Sequence, residues 1–130
     1  MFTDLATKFN DLGFDFRKEA EGRVRFLGEN RKILAEVDKL LENGKEMMAI
    51  EIKSKLKIDD INDHIRRLGI IGEYNKEHCD SRNVMGAVAG GVVSENILNY
   101  AQSKGLYVLV RNDKTVDVAA LPAGFEPKCW

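Results

Sequence analysis

Residues 32–56 read KILAEVDKLLENGKEMMAIEIKSKL, and the fold turns on how this stretch is read. Two runs rich in Ile, Leu, Val, Met and Ala flank Asn43-Gly44, the dipeptide that best accepts the positive φ angles of a two-residue type I′ turn. A β-hairpin is expected. The simplest register pairs Glu42 with Lys45, which sets Asp38 opposite Ala49 and Glu36 opposite Glu51. Side chains alternate along a strand with period two, so Glu36, Asp38, Glu51 and Lys53 share one face, with Glu51 and Lys53 roughly 6–7 Å apart. Carboxylates and an ammonium on otherwise apolar strands are costly to bury without partners, and a divalent metal is one such partner.

Upstream of the hairpin, Phe2, Leu5, Ala6, Phe9 and Leu12 recur at helical spacing, with Thr3 or Asp4 to cap and Gly13 to terminate. The charged run after Phe16 reads as a solvated turn, Val24 to Leu27 as a strand, residues 28–31 as its turn and Lys32 to Leu41 as the second strand of a three-stranded antiparallel meander.

Downstream, the apolar period changes after Lys53. Ile58, Ile61, Ile65 and Leu68 predict a helix capped by Asp59 and ending between Leu68 and Lys76, with His64, Arg66 and Arg67 on its exposed side. Lys55 and Lys57 precede it, so Lys55, Lys57, Arg66 and Arg67 form a small basic patch that reads either as a solvated helix face or as a contact for phosphates. His64 and His78 read as surface residues. Residues 83–93, NVMGAVAGGVV, form a buried strand whose glycines lack the spacing of a phosphate loop and point to close backbone packing. Ser94-Glu95 opens another helix, and strands at Leu106 to Val110 and Thr115 to Ala119 close the chain.

The order Val37-Asp38, a short hairpin, then Glu51-Ile52-Lys53 resembles the PD-(D/E)xK nuclease superfamily. What the resemblance implies is an α/β chain of restriction-endonuclease-like, three-layer fold with a mixed central sheet in the order αβββαβαββ. It also implies a Mg²⁺-dependent endonuclease, with Mn²⁺ as a substitute ion. Asp38 and Glu51 would be metal ligands, Ile52 a carbonyl ligand, and Lys53 the catalytic group that orients water or stabilises the transition state. DNA is the implied nucleic-acid partner, bound through Lys55, Lys57, Arg66 and Arg67, and a homodimer the implied assembly. Within the superfamily, GAVAGG at 86–91, KGLYVL at 104–109 and the stretch from Gly124 to Trp130 are similar to functionally uncharacterised prokaryotic domains. Val37 stands where the family often has Pro, and a second E-x-K at Glu126-Pro127-Lys128 shows how readily chance supplies that spacing.

Composition bounds these readings. The 130 residues fit a single domain, and a net charge of −1 with pI near 6.1 argues against a protein that coats nucleic acid through bulk charge. Cys79 and Cys129 have no metal-binding or disulfide spacing. No signal peptide or membrane-length apolar run is present, so a cytoplasmic protein without a membrane partner is expected. Two further functions fit the same residues: a nuclease-fold domain that binds nucleic acid or protein without cutting, and an oligomerisation scaffold whose hairpin charges are surface salt bridges.

Overall fold

The computed structural model describes residues 4–130; Phe2 and Thr3 of the first expected helix lie outside them. The chain is α/β, with a mixed six-stranded sheet and three helices. The elements run α1 (Leu5–Asn10), β1 (Lys18–Glu19), β2 (Val24–Leu27), β3 (Ile33–Val37), β4 (Lys39–Glu42), β5 (Glu46–Lys55), α2 (Ile58–Glu77), β6 (Asn83–Val92), α3 (Glu95–Ser103), β7 (Tyr107–Asn112) and β8 (Thr115–Val118). The sheet order is β1-β4-β5-β6-β7-β8, with β5, β6 and β7 mutually parallel and the outer pairs antiparallel, while β2 and β3 form a separate two-stranded ribbon.

The expected second strand, Lys32 to Leu41, is therefore two strands, and the expected meander is broken at Asp38. β3 pairs with β2 and β4 with β5. Asp38 itself supplies the reason: its Oδ2 accepts the backbone N–H of Ile52 at 2.8 Å, so a side chain takes up a β5 donor where the chain bends away between β4 and β3. Lys18–Glu19, read as a solvated turn, instead forms a short edge strand on β4, with Glu19 3.8 Å from Lys39.

The hairpin forms, but in another register. Glu42 pairs with Met47 and Leu40 with Ala49, a slip of two residues from the simplest ladder. Neither Asn43 nor Gly44 has positive φ, so the turn is not type I′; the Asn43 side chain instead accepts the N–H groups of Lys45 and Glu46 at 2.8 and 2.7 Å. A slip of two preserves the faces and changes the partners. Continued past Lys39 and Ile50, the observed register sets Asp38 rather than Glu36 across from Glu51.

Two apolar layers sandwich the sheet. On one face Met47 and Ala49 of β5 and Val84 and Val88 of β6 pack under α2, α3 and the ribbon; on the other Met48, Ile50, Ala87 and Leu109 pack under α1 and Phe16. Val84 to Gly90 is buried throughout, as befits a parallel strand covered on both sides. Close packing explains Gly86, since a Cβ there would stand 2.4 Å from Leu68 and 2.8 Å from Leu106. Helix α2 runs past both of its glycines to Glu77, capped by Asp60, not Asp59, through a 3.0 Å bond from the Lys57 N–H. At Gly72 the chain end crosses so closely that a Cβ would lie 2.6 Å from the Trp130 backbone. Leu12, expected on the apolar face of α1, is exposed because that helix ends at Asn10. No helix among the described residues is long and apolar enough to cross a membrane.

Candidate functional site

The bend at Asp38 and the middle of β5 bring Asp38 and Glu51 together under α2, with their carboxyl groups in hydrogen-bonding contact. Glu51 is almost fully buried, at 5% exposed. Burial first, and then the Asp38 carboxyl beside it, pushes the Glu51 carboxyl up to about 7. Burial works against ionisation of Asp38 as well, but hydrogen bonds from Glu51, the Ile52 N–H and Arg23 together hold its carboxyl below the ordinary value. In the metal-free site the pair thus keeps a shared proton, resident on Glu51, into the neutral range.

Two arginines complete the cluster. Arg67, on the third turn of α2, points inward and donates from Nη1 to Glu51 Oε2 at 2.7 Å. Arg23, just ahead of β2, donates to Asp38 Oδ1 at 2.9–3.0 Å and to Glu36 Oε1 at 3.4 Å, while Arg25 lies 3.6 Å from the same Glu36 oxygen. Glu36 thus joins the site through Arg23, although it does not face Glu51 in the ladder. Lys53 lies two residues beyond Glu51 on the same face of β5, half-buried, near enough for its charge to favour ionised Glu51.

Asp38, Glu51, Ile52 and Lys53 are therefore brought together. The basic patch is not. Arg67 is turned into the site, and Arg66 lies 3.8 Å from Asp63 on the outer face of α2, which leaves Lys55 and Lys57 exposed at the strand end and helix start. His64 is not a surface residue but fully buried: its Nε2 bonds the Ala49 carbonyl at 2.9 Å, its Nδ1 has no partner, and burial lowers its pKa to about 4. The spacing Ile61, His64, Leu68, Ile71, Asn75 alternates three and four and tracks the buried stripe, so the position of His64 was discoverable from the sequence. Arg23 and Arg67 had no such signal, since each meets its carboxylate across 15 or 16 residues of chain.

Among the described residues no group of three or more His, Cys, Asp and Glu side chains is placed to hold a metal ion. Two neighbouring carboxylates remain, and hard oxygen donors of this number fit Mg²⁺, which is commonly held by one or two carboxylates and retains several waters. The competing cations are the two guanidinium groups. No family model, curated protein or solved structure matches the chain.

Proposed function

We propose that the chain is a Mg²⁺-dependent endonuclease of restriction-endonuclease-like fold that hydrolyses phosphodiester bonds in DNA, with Mn²⁺ able to substitute. The observation that carries this reading is the contact between the Asp38 carboxyl and the buried Glu51 carboxyl, beside Lys53 on the same face of β5. The bend that bears Asp38, strands β4 and β5, the crossover helix α2 and the parallel strand β6 follow in the order that superfamily's core requires, which supports the assignment.

In this reading Asp38 and Glu51 would hold the ion, with the Ile52 carbonyl as a third donor. Bound there, Mg²⁺ would neutralise charge on the scissile phosphate and acidify the attacking water. The chain's own groups do the rest. Glu51 releases its proton to become a ligand, so metal affinity rises with pH through the neutral range. Arg67 keeps the Glu51 carboxylate oriented, and the Lys53 ammonium orients water or stabilises charge that develops on the phosphate oxygens.

The test is cleavage of labelled oligonucleotides by wild type and Lys53→Ala in millimolar Mg²⁺. Loss of Lys53 is expected to reduce the rate by about 10²–10³ while leaving calorimetric metal affinity intact. Cleavage at the wild-type rate would remove Lys53 from the mechanism; an intact protein that cuts nothing in Mg²⁺ or Mn²⁺ would end the nuclease reading. One observation favours a second reading, a nuclease-fold domain that binds without cutting: Arg23 and Arg67 already hold both carboxyl groups. A wild-type protein that binds oligonucleotide but neither ion would select it.

A further inference from the structure

We infer that the nucleic-acid strand is single at the cleavage point and turns over the edge of the sheet, its flanking phosphate seated in a cleft formed by Ser54, Gly91 and Arg111 with Lys53 at the rim. The inference rests on the nuclease reading for its class of ligand. The cleft itself follows from register. Lys53 pairs with Gly90 and Lys55 with Val92, which aligns Ser54 with Gly91; Gly90 pairs with Val110, which aligns Gly91 with Arg111. A hydroxyl, a bare backbone and a guanidinium therefore form one row across three parallel strands, about 10 Å from end to end.

The row stands on the α1 face of the sheet, in line with Ile52 and Leu109, at the carboxyl ends of β5, β6 and β7, where open parallel sheets bind their ligands. The buried layer beneath α1 stops short of these ends: Ile50 and Leu109 are covered, whereas Ser54 and Arg111 are exposed. The space left is a cleft of about 550 Å³. Gly91 keeps it open and cannot be replaced cheaply, since a Cβ there would meet the Ser54 carbonyl oxygen at 2.9 Å. Lys53 and Arg111 line the cleft, and neither has an ion-pair partner among the described residues; Asp113 is the one acid in the lining, and Val92, 60% exposed, offers an apolar contact to a sugar or base. A guanidinium with no ion-pair partner among the described residues, beside a hydroxyl and with Lys53 at the rim, suits a phosphodiester.

Asp38 and Glu51 lie on the opposite face, beneath α2, and Lys53, which shares that face, also borders the cleft. A ligand that touches both places must bend sharply over the end of β5. Duplex DNA, with a persistence length of about 150 base pairs, resists such a turn, whereas a single strand makes it within a few nucleotides.

The experiment measures anisotropy of a labelled single-stranded 12-mer and of its blunt duplex with the full chain in chelator, so that nothing is cut. The single strand is expected to bind about tenfold tighter than the duplex, and Arg111→Ala to weaken it about five- to tenfold and lower the salt slope by about 0.7. Arg111→Lys should restore most of the affinity, and Lys45→Ala, ahead of the other end of β5, should change nothing. No single-strand binding, duplex binding as tight as single-strand binding, or wild-type affinity in both Arg111→Ala and Ser54→Ala would overturn the inference. Parallel cleavage assays in Mg²⁺ separate it from the reading beneath it. Arg111-dependent single-strand binding without cleavage in either ion removes the nuclease and keeps the cleft; duplex cleavage that is undiminished in Arg111→Ala removes the cleft and keeps the nuclease.

Discussion

Arg67 of α2 donates to Glu51 of β5 at 2.7 Å with the carboxyl side chain 6% and the guanidinium 24% exposed, which makes this the most enclosed arginine–carboxyl contact in the described chain. It ties the crossover helix to the strand that carries the carboxylates. Removing Arg67 leaves the buried Glu51 carboxyl without this charge-assisted donor, which is costlier than losing a surface bridge. Arg67→Leu is therefore expected to destabilise the protein by about 1–3 kcal/mol in urea denaturation, and Arg66→Leu by less than about 0.5 kcal/mol. Equal effects of the two substitutions would refute the assignment of Arg67 to the site.

The carboxyl pair gives the metal-free protein a pH dependence of definite sign. Folding raises the Glu51 carboxyl from 4.5 to about 7, so the folded chain binds the extra proton, and the stability this contributes is complete below pH 4.5 and lost as pH rises through 7. In chelator this contribution should fall between pH 5 and pH 8. His64, whose pKa burial lowers to about 4, contributes the opposite slope up to pH 6.5, so the Glu51 part is read as the difference between wild type and Glu51→Gln. Asp38→Asn relieves the repulsion at nearly constant shape, and at pH 8 it is expected to stabilise the metal-free protein by roughly 0.5–2 kcal/mol and to reduce the part of the slope that Glu51 contributes. A difference between wild type and Glu51→Gln that rises over this range would contradict the shared proton.

Mg²⁺ should reverse that ranking. A ligand bound only by the native state contributes about 2.7 kcal/mol at a hundredfold excess over its dissociation constant, and Asp38→Asn would bind it poorly. Arg23→Gln removes an exposed cation that competes for Asp38, so tighter Mg²⁺ binding than wild type is expected by calorimetry. Melting curves indifferent to millimolar Mg²⁺ in wild type and Arg23→Gln alike would exclude a metal site here.

The two glycines of α2 should respond in opposite directions. A Cβ at Gly69 meets nothing within 4 Å, so Gly69→Ala is expected to stabilise by about 0.5–1 kcal/mol through helix propensity. Gly72→Ala would press on the Trp130 backbone, which already donates from its N–H to the Val84 carbonyl at 2.8 Å, and should destabilise. Thermal melts that rank the two variants the other way would place the chain end elsewhere.

The sequence by itself determined the element types apart from the edge strand at Lys18–Glu19, the break from period two to helical period after Lys53, the buried character of Val84 to Gly90, and the shared face of Asp38, Glu51 and Lys53. Each of these is local: alternation within a strand and repetition within a helix are set by neighbours a few residues apart. Register was not local. A slip of two residues leaves every side chain on its face, so the hydrophobic pattern could not tell Glu36 from Asp38 as the residue across from Glu51. The split at Asp38 left only a change of phase, since Ala35 and Val37 before the bend and Leu40 after it face the same core, and the adjacent apolar pair Leu40-Leu41 blurs that step in the sequence. Tertiary structure alone decided which cations serve the carboxylates. Arg66 and Arg67 are adjacent in the chain, yet a 100° step around the helix sends one to solvent and the other to Glu51, and only the docking of α2 on β5 fixes which.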